Sequence, residues 1–119
     1  MPSNIQYSVV EYGGKTSSFN PANIGLSFDG KARVEDSVIR YSESYGISLD
    51  ERETLMAFSR NTLTQNESAP VHINANAVGV LDADSRYTGN TKEYIEIVGD
   101  IYDSQTWQNL DVDYRMPSV

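Results

Sequence analysis

SVIRYSESYGISLDERETLMAFSRNT, residues 37–62, decides the fold, because its two halves favour different elements. As a helix, the stretch from Lys31 to Leu49 would put Val34, Val38, Tyr41 and Tyr45 on one narrow stripe, with Asp36 and Arg40 paired opposite. As a strand, it places Ile39, Tyr41, Tyr45, Ile47 and Leu49 on one face and Arg40, Ser42, Ser44 and Ser48 on the other. Glu43 is the misfit. The Val, Ile and Tyr content, and a glycine at 46 that would interrupt a helix, select a strand for residues 37–47. The second half reads otherwise. Ser48-Leu49-Asp50-Glu51 has capping-box spacing, in which the Ser oxygen and the Glu carboxylate satisfy each other's exposed N–H groups. Asp50, Glu51 and Glu53 suit the positive end of a helix dipole. Leu55, Met56, Ala57 and Phe58 would fill a core, and Arg60 falls late. The pattern predicts a helix over residues 49–62.

Upstream, residues 4–12 alternate, with Ile5, Tyr7 and Val9 on one face, and a strand is predicted to stop at Gly13-Gly14. A polar loop follows, then a strand over 24–28 (Ile24, Leu26, Phe28) ending at the turn dipeptide Asp29-Gly30. Downstream of a polar connector, Val71, Ile73, Ala75 and Ala77 alternate with His72, Asn74 and Asn76. A phase slip at Val78-Gly79-Val80 suggests a bulge. Ile95, Ile97 and Ile101 would face inward on a returning strand, so residues 71–103 read as a long hairpin with an Asp-rich tip. Trp107, Leu110, Val112 and Tyr114 suggest a last strand over 106–114. No internal repeat stands out. The expected fold is α+β and β-rich: an antiparallel sandwich or barrel of about six strands with one flanking helix and a long hairpin, in a single domain over residues 1–119.

Composition narrows the chemistry. The 119 residues include no Cys, one His (His72) and one Trp (Trp107), with 17 acidic residues against 9 basic ones. Thiol nucleophiles and Cys-ligated metals are excluded because the ligand atoms do not exist, and a Ser-His-Asp triad would have to run through His72. No cofactor is expected. A chain this long buries about two-thirds of its surface and needs no disulfides. The formal charge of −8 disfavours phosphate backbones and anionic membranes. It suits a basic protein partner, or a channel that nucleic acid passes without sticking. No stretch approaches the roughly 20 apolar residues of a membrane helix. Met1-Pro2-Ser3-Asn4 lacks the basic start and apolar run of a signal peptide, so a cytoplasmic or virion location is expected.

Asp82, Asp84 and Glu93 reproduce positions 1, 3 and 12 of a calcium loop. Arg86 and Tyr87 fall where an oxygen ligand and a Gly are needed, so a solvated tip is the expected reading. Asp100, Asp103, Asp111 and Asp113 form a second acidic group; Asp111 and Asp113 would share a strand face close enough to repel. Gly13-Gly14-Lys15-Thr16 ends like a phosphate loop but lacks its upstream Gly. Asn66-Glu67-Ser68 is a formal glycosylation sequon. Eight Tyr against three Phe point to interfaces, since Tyr combines apolar area with a polar tip. Tyr87, Arg86, Tyr94 and Tyr102 are the expected interaction residues, with Tyr87 as anchor at the hairpin tip.

The expected function is therefore a non-catalytic structural or assembly subunit, homo-oligomeric and bound to protein partners. By analogy of fold alone it would be of the tail-tube, tail-completion or head-decoration kind in tailed viruses. Two alternatives stand beside it: an acidic inhibitor, immunity or anti-defence protein filling a basic groove, and a small-ligand-binding or hydrolytic enzyme built on His72 and nearby carboxylates.

Overall fold

The computed structural model describes residues 3–13, 22–25, 31–49, 54–99 and 105–116. Its strands are β1 (Ser3–Gln6), β2 (Val9–Glu11), β3 (Ala22–Gly25), β4 (Lys31–Glu35), β5 (Val38–Arg40), β6 (Tyr45–Leu49), β7 (Thr54–Ser59), β8 (Thr62–Thr64), β9 (Val71–Asn74), β10 (Tyr94–Val98) and β11 (Asp113–Arg115). They pair in parallel throughout, in three sheets ordered β1-β4-β7, β2-β5-β8 and β11-β10-β9-β6-β3. The chain visits the three sheets in turn and then begins again one layer further on. This is a parallel β-solenoid, in which each of the first three coils contributes one strand to each sheet and buries its apolar face against its neighbours in the stack.

The antiparallel sandwich with a flanking helix is thereby overturned. Among the described residues there is no α-helix, only a 3-10 turn at Val78–Val80 where the fourth coil passes the first sheet. The helix expected over 49–62 is instead the end of β6, then β7 and the start of β8, with residues 50–53 outside the described set. The hairpin expected over 71–103 does not form either. β9 and β10 lie side by side in parallel, Ile73 opposite Ile97, and the residues between them are most of a coil. The strand of 4–12 breaks into β1 and β2 at Tyr7, and that of 37–47 into β5 and β6. Only 113–115 of the last strand is regular. The expected strand over 24–28 is β3 in its first part, and its remaining residues lie outside the described set, as does Asp29-Gly30.

Alternation explains the core. Ile24, Ile47, Val71, Ile95 and Tyr114 occupy one register column, and Leu49, Ile73 and Ile97 the next. Val10, Ile39 and Leu63 form a column of the second sheet, and Tyr87 takes the same place one coil later. Each fully buried aliphatic side chain contributes about 1.5–3 kcal/mol, so these columns carry most of the cohesion.

The corners are the sequence's real repeat. Asp36-Ser37, Arg60-Asn61 and Asp84-Ser85 recur at 24 residues, as do Ser42, Asn66 and Asn90. Left-handed backbone marks both corners: Tyr7, Asp36 and Arg60 at the first, and Tyr12, Tyr41, Gln65 and Gly89 at the second. The polar residue after Asp36, Tyr41, Arg60, Gln65 and Gly89 turns inward. Asn61 accepts the Ser37 N–H (3.0 Å) and donates to the Val34 carbonyl (2.8 Å); Asn66 accepts from Ser42 (3.1 Å) and Asn90 donates to Leu63 (2.9 Å). These ladders satisfy buried backbone groups where the sheets give out. The expectation of no internal repeat is thus also corrected. Asn66, 2% exposed and bonded within its ladder, is not presented as a glycosylation acceptor.

The last described coil is tied to the one below by different means. Gln105 accepts the Gly79 N–H (2.8 Å) and donates to the Ala75 carbonyl (2.7 Å). Gln108 accepts from Ala83 (3.0 Å) and Asp111 from Tyr87 (3.1 Å). Side chains here bond the backbone of the coil below, alongside the short β10–β11 ladder. No helix among the described residues is long and apolar enough to cross a membrane.

Candidate functional site

The outward face of the five-stranded sheet carries the chain's one histidine. Ile47 and Leu49, Val71 and Ile73, and Ile95 and Ile97 point inward, so Ser48, His72 and Glu96 between them point outward. Parallel register sets these three side by side on adjacent strands, and Arg115 follows next to Glu96. His72 Nδ1 bonds Glu96 Oε2, and Tyr45 Oη donates to the same oxygen at 2.5 Å. The Tyr45 ring reaches that far by lying flat across His72, with ring centroids 4.5 Å apart and planes 25° off parallel. Burial, aided by the Glu96 carboxylate, pushes the Tyr45 hydroxyl well above the usual tyrosine range, so it stays protonated and donates. On the rim, the Arg115 guanidinium sits over the Tyr94 ring at 4.5 Å.

In chemical terms this is a histidine oriented by a carboxylate, with a serine in line on the next strand, the order of a Ser-His-acid triad. Access is what it lacks. Ser48 is 1% exposed and Glu96 5%.

A second surface surrounds β2. Tyr7 and Tyr12 are 80% and 74% exposed and Val9 is 56% exposed. Tyr12 stacks on Tyr41 with centroids at 5.2 Å, Arg40 lies over Tyr41, and Arg40 Nε holds Glu11 at 2.7 Å.

The expected site residues fall elsewhere. Tyr87 is not an exposed anchor: it is fully buried, stacked on Phe58, and donates to the Asp82 carbonyl at 2.9 Å. It is buried because it takes the inward column position of Ile39 and Leu63. Arg86 is exposed, its backbone bridged to Thr62. Tyr94 is half-buried beneath Arg115, and Tyr102 lies outside the described residues. Asp82, Asp84 and Glu93 do not converge. Asp82 accepts from the Arg60 N–H (3.0 Å) and Ser85 (2.5 Å), Glu93 accepts from the Asn90 N–H (2.8 Å), and Asp84 faces solvent. Among the described residues no three His, Asp or Glu side chains gather as a metal site would require. Asp111 and Asp113 do not act as a pair, since Asp111 precedes β11 and binds the Tyr87 N–H; Asp100 and Asp103 lie outside the described residues. Sequence reasoning placed His72 on the polar face of its strand correctly and missed its partners. The 24-residue step from His72 to Glu96 was the available signal.

The chain matches no protein-family model, no curated protein and no solved structure. The fold and its surfaces are therefore the whole basis for a functional reading.

Proposed function

We propose that this chain is a non-catalytic β-solenoid module that works by assembly with protein. The observation that carries this reading is the burial of the His72 cluster. With Ser48 at 1% and Glu96 at 5% exposed, no nucleophile there meets a substrate, and the Tyr45 ring covers the base. Among its exposed side chains are large apolar ones of the kind interfaces use: Tyr7 and Tyr12, at the two ends of β2, and Val9 within it. The tailed-virus assignment drops out, because it rested on a sandwich and a projecting hairpin.

Two other readings keep one observation each. The Ser48–His72–Glu96 register favours a hydrolase. Exposed Glu43, Glu67, Asp84, Glu93 and Asp113 favour a basic partner, whose binding would weaken steeply with salt. The test of the non-catalytic reading is turnover of p-nitrophenyl esters by the native chain, by Ser48→Ala and by His72→Gln. Equal background rates are expected. Turnover lost in both variants would overturn the proposal.

A further inference from the structure

We draw no further inference here: the strongest candidate, the outward face of the β2-β5-β8 sheet, where exposed Val9 and half-buried Val38 and Thr62 stand in one register column that ends at exposed Arg86, carries nothing because nothing in the structure shows what covers it.

Discussion

Asn66 and Asn90 stand one above the other at the second corner, and Asn90 Oδ1 accepts both the backbone N–H of Asn66 (3.1 Å) and its side-chain amide (2.8 Å). Asn66 in turn accepts from Ser42 and donates to the Ile39 carbonyl. Each Asn is thus a connector between coils, and its removal strands backbone groups that water does not reach. Asn66→Ala should lower unfolding free energy by about 2–4 kcal/mol, since orphaned buried groups cost about 1–3 kcal/mol each. Urea denaturation measures it; a loss below about 0.5 kcal/mol would mean the ladder is not holding the coils.

The same corner contrasts Gly89 with Gln65. Gly89 has φ +87°, and a Cβ there would meet Thr64 Oγ1 at 2.3 Å. Gly89→Ala should destabilise by about 1–2 kcal/mol from backbone strain and the displaced Thr. Gln65→Gly, at φ 55°, should stay within about 0.5 kcal/mol, as relief of strain offsets the greater freedom of an unfolded Gly. Thermal unfolding of the two variants separates them, and equal effects would argue against a left-handed corner.

Tyr87 supplies a pH test. Burial, with the Asp82 charge adding to it, pushes its hydroxyl well above the usual tyrosine range. A raised value favours the protonated form in the folded state, so its contribution is whole below about pH 10 and falls as pH climbs further. Stability should decline above about pH 10 by about 1.4 kcal/mol per pH unit for this group. Tyr87→Phe should be less stable at neutral pH, through loss of its bond to Asp82, and flatter in alkali. An unchanged alkaline slope would show that Tyr87 is not titrating from a buried place.

Part of this was legible in the sequence. Extended backbone at both ends of 37–47, though not the corner between them, follows from Val, Ile and Tyr content, and the inward set Val71, Ile73, Ile95 and Ile97 from alternation. Pairing direction does not, because parallel and antiparallel strands share the same period of two. The deciding signal is the spacing of the corner residues, which is obscured because Ser and Asn interchange and because the first coil is longer, Ser8 lying 29 residues before Ser37. The false helix has a local cause. The register slips between Ala32 and Arg33, so Leu55 and Phe58 both face inward three residues apart, which is helical spacing produced by a bulge. The Tyr45–Glu96 bond spans 51 residues and only the coil stack brings it about.

Ser48 tests that misreading. As a helix cap, Ser48→Ala would cost about 1 kcal/mol. In β6 the hydroxyl is buried and, among the described residues, makes no hydrogen bond, so the change should be neutral or stabilising by up to about 1 kcal/mol. Calorimetry decides, and a clear loss would restore the capped helix.

The most direct measurement of the parallel solenoid uses the chain's lack of cysteine. Thr62 and Arg86 are bridged in parallel on adjacent coils, so Thr62→Cys with Arg86→Cys places two thiols within disulfide reach, at the roughly 4.8 Å spacing of neighbouring strands. Arg86 would instead sit at the far tip of an antiparallel hairpin. Mass spectrometry after mild oxidation should find an intramolecular 62–86 disulfide in a chain that keeps its native melting temperature. If 62 and 86 stay reduced while Val80→Cys with Tyr94→Cys, opposed in the hairpin but on separate elements of the stack, cross-links readily, the stacked-coil account is wrong.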